Sequence, residues 1–393
     1  MFKNFRFKLK YINFRLLLFV FLLTGIGIAV IGSAVPGANY QSRQIMGLLI
    51  GTVIMFALMF IDYRWIMKLH WVIYGVCVVL LLAVLKMGEN HKGATRWIEI
   101  AGISFQPSEF AKILLVAFWA WYWGHDEKMP RKWKYFFISL PLLAMPLLLI
   151  VKEPDLSTTI LIMLLFVIQL FISGFSYKKI AIILAAVIPL IAGVVAYIVI
   201  VPPTEEDNQN KLLKYYQYKR IMAFIDPGNF DDDRYQQDNS VMAIGSGQLN
   251  GKGLYNDNPD SVKNGNYILE PQTDFIIAIV GEELGFVGCI TIIFLIMLIA
   301  AECIITGARA LDEQGKILCF GMAGILIFQS FINIGVATEL LPNTGIPLPF
   351  VSYGLSSLVA MYAGIGLVLS VSYRKKIQLE EVKDEHRIDS PRL

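Results

Sequence analysis

The sequence predicts an all-α polytopic membrane protein of about ten transmembrane helices. Both termini are expected in the cytoplasm, with one large extracellular loop between helices 7 and 8. Three observations predict this. Of 393 residues, 56% are hydrophobic and only 17% charged, whereas a soluble domain carries about a quarter charged residues. The apolar residues gather into runs of the ~20 residues that a bilayer crossing requires. Lysine and arginine cluster on every second connection, the bias that keeps short loops on the cytoplasmic side.

The qualifying runs are 15–34, 45–61, 70–87, 108–123, 136–151, 156–173, 179–201, 275–304, 317–338 and 354–372. Lys3, Arg6, Lys8, Lys10 and Arg15 precede or open the first run. The N-terminal pattern resembles a signal peptide, but Leu16–Ile31 is followed by many further runs, so it reads as an uncleaved first helix. Arg64 and Lys68 follow the second run, Lys128, Arg131, Lys132 and Lys134 the fourth, and Lys178 and Lys179 the sixth. Arg309 and Lys316 follow the eighth, and Arg374, Lys375 and Lys376 the tenth. Residues 1–373 therefore read as a single membrane domain, with 202–274 as the large extracellular loop and 374–393 as a short cytoplasmic tail.

Within that loop, Lys211–Ile225 mixes lysine, tyrosine and apolar residues as an interfacial helix does. Asp226-Pro227-Gly228 reads as a turn, and the remainder as loop. Gly245, Gly247, Gly251 and Gly253 do not make a phosphate-binding loop, because Gly253 follows Lys252 where serine or threonine is required. No nucleotide is expected. Cys77, Cys289, Cys303 and Cys319 all lie in apolar runs, so no disulfide framework is predicted. His70, His91, His125 and His386 lack metal-ligand spacing.

Three stretches place polar residues where a bilayer disfavours them: Arg96–Lys112, Glu270–Gly285 and Asn333–Gly354. Ionisable groups at the lip of a membrane helix mark a substrate path or a catalytic site. Asp274, directly before the apolar run from Phe275, is the first candidate; its alternative is capping of that helix by Thr273 or Asp274. Glu282 and Glu283 read as structural hydrogen-bond partners. Glu109 and Lys112 are spaced i, i+3 and pair on one face. Pro107 suits the first turn of their helix, with Gln106 or Ser108 near its cap. Lys112, Arg96, Lys152 and Arg220 fall on the outer side, where an anionic ligand would account for positive charge. Asp155, in Glu153-Pro154-Asp155, either joins the same rim or caps the sixth helix. Pro342, Pro347 and Pro349 break any helix in the third stretch, and irregular backbone at membrane depth must be buried in protein or line a cavity. Asn333, Thr344, Ser352 and Tyr353 would give that cavity polar groups.

These residues resemble the SEDS family of shape, elongation, division and sporulation proteins, which includes RodA, FtsW and SpoVE. The resemblance covers nearly the whole chain. It rests on Arg96-Trp97-Ile98, Gln106-Pro107-Ser108-Glu109 with Lys112, Glu153-Pro154-Asp155, Ala243–Gly247, Thr273-Asp274-Phe275, Gly281–Gly285 and the stretch from Asn333 to Gly354. Leu355 and Ile277 depart from the usual pattern, away from the charged residues. The resemblance implies a ten-span peptidoglycan glycosyltransferase of the bacterial cytoplasmic membrane. Its substrate would be lipid II, the undecaprenyl-pyrophosphate-linked disaccharide-pentapeptide. Its partner would be a class B penicillin-binding protein transpeptidase; no nucleic acid is expected. Asp274 maps onto the family's catalytic residue, and Arg96, Trp97, Glu109, Lys112, Asp155 and Ser352 are the substrate-binding candidates.

The chemistry suits those residues. The acceptor 4-hydroxyl must lose a proton as it attacks the donor's anomeric carbon, and Asp274 would take it. A single displacement inverts that carbon. The leaving pyrophosphate needs cations: Lys112 with Arg96, or a divalent ion such as Mg2+ or Mn2+. On this reading Glu109 orients Lys112, and Lys112→Ala costs activity with little loss of stability. The rival reading is a lipid II flippase, which would favour inverted repeats and charges near the midplane; a non-catalytic scaffold leaves Asp274 without a role.

Overall fold

The computed structural model describes residues 11–388 apart from 92–93, 101–102, 127, 130–131, 201–214, 227, 229–230, 260 and 266. The helices that fall on the predicted apolar runs are α1 (Phe14–Ala34), α2 (Tyr40–Phe60), α4 (His70–Met87), α5 (Pro107–Gly124), α6 (Trp133–Lys152), α7 (Leu156–Ile172), α8 (Tyr177–Ile200), α11 (Ile276–Ala308), α12 (Glu313–Ala337) and α13 (Leu355–Ile388). Each coincides with a predicted apolar run to within a few residues except α13, which continues past residue 372 through the predicted tail to Ile388. Seven of them, α1, α2, α4, α6, α11, α12 and α13, are long and apolar enough to cross a membrane, among the described residues. A short helix, α3 (Tyr63–Lys68), turns the chain after α2.

Local chemistry sets the helix ends. Asn13 Oδ1 accepts from Leu16 N at 3.3 Å to start α1, and Asp312 Oδ1 accepts from Gly315 N at 2.8 Å to start α12. Pro107 opens α5 at a position where its missing N–H costs nothing. In a bilayer, packing and interhelical hydrogen bonds hold helices together rather than the exclusion of water. α12 is the hub, packed against α5, α7, α11 and α13. Its buried residues Gln329, Ser330 and Asn333 place polar groups at the centre of the bundle.

Two expectations need correction. The fold is not purely helical: β1 (Glu89–His91), β2 (Ala94–Ile100) and β3 (Ile103–Phe105) form an antiparallel meander between α4 and α5. Its register pairs Glu89 with Trp97 and Ile98 with Phe105, and it delivers Arg96 and Trp97 to the site. The described part of the segment between α8 and α11 also holds more helix than expected. The interfacial helix is present as α9 (Tyr215–Ile225), although 211–214 and Pro227 of the predicted turn lie outside the described residues. The part read as loop contains α10 (Asp231–Ser246), packed along α11. A weak apolar pattern on α10 hid it: Gln237, Asn239 and Ser240 are buried and satisfied by neighbouring carbonyls instead.

The glycine-rich segment repairs a break in α11. Gly285 takes φ 64° and ψ −165°, which ends the helical ladder. Lys252 N and Gly253 N donate to Glu282 O and Glu283 O at 2.9 Å each. Phe286 N and Val287 N donate to Gln248 O and Leu249 O at 2.9 and 3.2 Å. The freed backbone groups of a membrane helix are thus satisfied by protein. Glu282 and Glu283 pin the same loop. Glu282 accepts from Val262 N at 2.8 Å and Lys252 Nζ at 2.7 Å, and Glu283 accepts from Lys263 Nζ and Ser33 Oγ at 2.6 Å each. Gly251 sits at φ +78°, and a Cβ there would lie 2.2 Å from Glu283 O. Gly251→Ala is therefore expected to cost at least ~1–3 kcal/mol and to lower the unfolding temperature. Thermal unfolding of the purified variant checks this; an unchanged midpoint would show that the loop does not seal the break.

Candidate active site

A cavity of about 680 Å³ lies beside the segment that precedes α11. Its wall includes Asp274 and Glu270, the three arginines Arg43, Arg96 and Arg220, and Trp97, Glu109, Asp155 and Tyr353. Residues from α2, the small sheet, α5, the α6–α7 turn, α9 and the segment before α11 therefore converge on one space.

Asp274 is held by its backbone while its carboxyl faces the cavity. The cap of α11 is Phe275, with no side-chain hydrogen bond, so neither Thr273 nor Asp274 caps it. Three successive carbonyls in front of the helix are each occupied: Gln272 O by Tyr353 N at 2.8 Å, Thr273 O by Ser352 Oγ at 2.6 Å, and Asp274 O by Asn333 Nδ2 at 2.7 Å. The proline-broken stretch after α12 supplies two of these donors. A Cβ on Gly345 in that stretch would lie 3.2 Å from Asp274 Oδ2 and 4.0 Å from Arg220 Nη1. Burial pushes the Asp274 carboxyl up to about 6. Arg220 and Arg96 oppose that shift, whereas Glu270 and Asp155 reinforce it. A carboxylate titrating near neutrality is suited to accept a proton and release it again.

The other predicted residues divide. Arg96 lines the cavity with its guanidinium braced on the α6–α7 turn, donating from Nε to Glu153 O at 3.3 Å and from Nη2 to Pro154 O. Asp155 lines the cavity and also caps α7, its Oδ1 accepting from Thr158 N at 3.1 Å and its Oδ2 from Thr158 Oγ1 at 2.9 Å. Lys112 and Ser352 do not line it. Lys112 is 0% exposed, its Nζ donating at 2.8 Å both to Glu109 Oε1 and to Gln329 Oε1. Helix α5 turns Glu109 toward the cavity and Lys112, almost one turn deeper, into the bundle. Ser352 spends its hydroxyl on backbone, accepting from Leu348 N at 2.8 Å as well as donating to Thr273 O. Asn333 is likewise committed to carbonyls. Of the polar residues expected from the third stretch, Tyr353 lines this cavity and Thr344 a smaller space beside it.

Sequence reasoning missed Arg43 and Gln329. Arg43 stands in the first turn of α2 and is a basic residue at the outer end of a span, the same signal that singled out Arg96. Gln329 lay inside an apolar run with no motif around it.

Among the described residues, no group of three or more His, Cys, Asp or Glu side chains could hold a metal ion. The positive charge at the wall comes from the three arginines instead.

A family model described as a cell cycle protein, FtsW/RodA/SpoVE, matches residues 11–377. The chain is 33% identical over 371 residues to the peptidoglycan glycosyltransferase MrdB of Escherichia coli (strain K12), covering 93% of this chain and 95% of that protein. It is 32% identical over 347 residues to a probable peptidoglycan glycosyltransferase FtsW of Geobacter sp. (strain M18), covering 86% and 88%. Among solved structures, it superposes with a TM-score of 0.73 and 27% identity on a chain from a study of the structural coordination of polymerization and crosslinking by a peptidoglycan synthase complex, covering 93% of this chain and 98% of that one. The rod shape determining protein RodA of Thermus thermophilus gives a TM-score of 0.66 at 26% identity, with 93% and 97% coverage. A match over nearly all of the described length shows that the chain belongs to the FtsW/RodA/SpoVE family of membrane proteins.

Proposed function

We propose that this chain is a peptidoglycan glycosyltransferase that polymerises lipid II at the outer face of the bacterial cytoplasmic membrane, with Asp274 as its general base. The observation that carries the proposal is the carboxyl of Asp274 at the wall of a cavity that also presents Arg43, Arg96 and Arg220. The acceptor hydroxyl passes its proton to Asp274 while its oxygen bonds to the anomeric carbon of the donor sugar. The bond from that carbon to the lipid pyrophosphate breaks, and its electron pair leaves with the phosphate. The arginines meet the growing negative charge, and bidentate guanidinium contacts suit phosphate oxygens. The anomeric carbon inverts. Trp97, Glu109 and Asp155 contact the sugars or their peptide. A Mg2+ or Mn2+ ion, when bound, would add to the neutralisation of the leaving phosphate's charge.

The proposal includes ten spans with both termini cytoplasmic, residues 202–274 outside, and a single membrane domain over 1–373. The cross-linking partner is a class B penicillin-binding protein. Purified protein given labelled lipid II without ATP should yield glycan polymer. Movement of lipid II between leaflets with no polymer would identify a flippase and overturn the proposal.

The titration of Asp274 has a direct consequence. A base must be deprotonated, so turnover should fall about tenfold per pH unit below pH ~6 and level off above it. A rate profile flat down to pH 4 would remove Asp274 from the proton transfer.

A further inference from the structure

We propose that Gln329 and Asn333 of α12 are positioning residues for Asp274, forming a clamp that fixes the proline-broken segment against the base. The inference rests on the reading of Asp274 as the base, and extends it to two side chains that touch no substrate.

Gln329 and Asn333 are spaced i, i+4, so they share one face of α12. Both are buried, at 0% and 1% exposure. Gln329 Nε2 donates to Pro347 O at 2.8 Å. Asn333 Nδ2 donates to Ile346 O and to Asp274 O, at 2.7 Å each. Two amides thus hold two successive carbonyls of the broken segment, and one of them also holds the carbonyl of the base. Gly345, next to Ile346, is the residue whose backbone abuts Asp274 Oδ2.

The arrangement is costly, which argues that it is needed. Asn333 Oδ1 is buried without a hydrogen-bond partner; aiming the amide hydrogens at two carbonyls leaves its oxygen stranded, an unfavourable state for a buried acceptor. Lys112 has a place in the same chain. Its ammonium holds Gln329 Oε1 at 2.8 Å and so turns the glutamine amide hydrogens toward Pro347 O. Glu109, at the cavity wall, anchors the lysine in turn. A continuous buried path therefore runs from the cavity wall through Glu109, Lys112 and Gln329 to the segment that Asn333 ties to Asp274.

The test uses the full chain in lipid nanodiscs with labelled lipid II and two variants. Gln329→Glu keeps an acceptor for Lys112 but sets a carboxylate oxygen against Pro347 O, and unfolding midpoints taken on the same preparations separate a lost fold from a displaced base. Asn333→Ala removes both donors. A displaced base costs turnover rather than affinity, so kcat should fall about 10–100-fold while KM stays within about twofold. The acid limb of the rate profile should move to lower pH, because a loosened segment admits water to the Asp274 carboxyl. A merely structural role would reduce activity in proportion to the folded fraction and leave that limb in place. That outcome in both variants, or wild-type kcat in both, overturns the clamp. If wild-type protein shows no limb near pH 6 and Asp274→Asn still turns over, the base assignment itself fails and the clamp falls with it.

Discussion

Replacing Asp274 with asparagine is expected to abolish polymerisation while leaving the protein as stable as before, or more so. The loss should be at least the ~10²–10⁴-fold that a general base contributes. The stability argument comes from the same environment that makes the residue a base. Its carboxyl is raised from 3.8 to about 6, chiefly by burial, so the ionised form is disfavoured in the folded state. The sign follows from linkage: the folded protein binds the proton more tightly than the unfolded chain. Ionisation therefore costs stability as pH rises from the unfolded value through about 6, and the full cost is present at neutral pH. Discounted for the part of the carboxyl that faces the open cavity, this is on the order of 1–2 kcal/mol. Asparagine carries no charge and keeps the backbone carbonyl that Asn333 holds. Unfolding midpoints and polymer yield, measured on the same preparation, decide the matter. Normal polymer from Asp274→Asn would sink the assignment; lost polymer with a collapsed midpoint would show a structural residue.

The membrane helices were legible because length and apolarity are one-dimensional properties. α1, α2, α4 and α11–α13 could be read from runs alone, since a bilayer imposes a minimum length on any helix that crosses it. The elements that were not legible are those stabilised by contacts between distant segments. α10 has no apolar stripe to announce it, because its inward face is polar and bonds to carbonyls such as Val336 O and Ala337 O. β1 and β3 are three residues each, too short to show a period, and the order of the sheet depends on pairing rather than composition. The break at Gly285 was invisible for a related reason. Its Gly-Glu-Glu-Leu-Gly surroundings suggested buried carboxylates, but nothing local says that residues 248–253 fill the gap.

The site divides along the same line. Charge out of place in a membrane segment marked Arg96, Glu109, Lys112, Asp155 and Asp274 in sequence, because burial of charge is expensive wherever it occurs. What sequence could not give is which side of a helix each charge faces. Glu109 and Lys112 lie within a single turn, yet Glu109 is at the cavity wall and Lys112 is sealed behind it. Ser352 shows the converse, a polar residue in a polar motif whose hydroxyl serves only backbone. A net contact between side chain and carbonyl, as at Gln329, leaves no trace in a run of apolar letters.

Lys112→Ala is consequently expected to lose stability first and activity as a result, the reverse of what its outer position and charge suggested. The ammonium is 0% exposed and has two partners at 2.8 Å. Removing it strands the Glu109 carboxylate, whose Oε2 already lacks a partner. Breaking such a buried pair costs ~3–5 kcal/mol, against a total stability of only ~5–15 kcal/mol. Reversing the charges should not repair it. A carboxylate at position 112 would face Gln329 Oε1, and turning that amide over would set its oxygen against Pro347 O. The double variant Glu109→Gln with Lys112→Met removes both charges while roughly keeping volume, and should recover most of the lost stability, because the penalty lies in the unpaired charge rather than in the absence of the pair. Urea or thermal unfolding of the single, swapped and neutral variants in the same detergent orders them. Lys112→Ala with an unchanged midpoint and no polymer would show instead that the lysine serves the reaction rather than the fold, by meeting the ligand or by holding Gln329 in place.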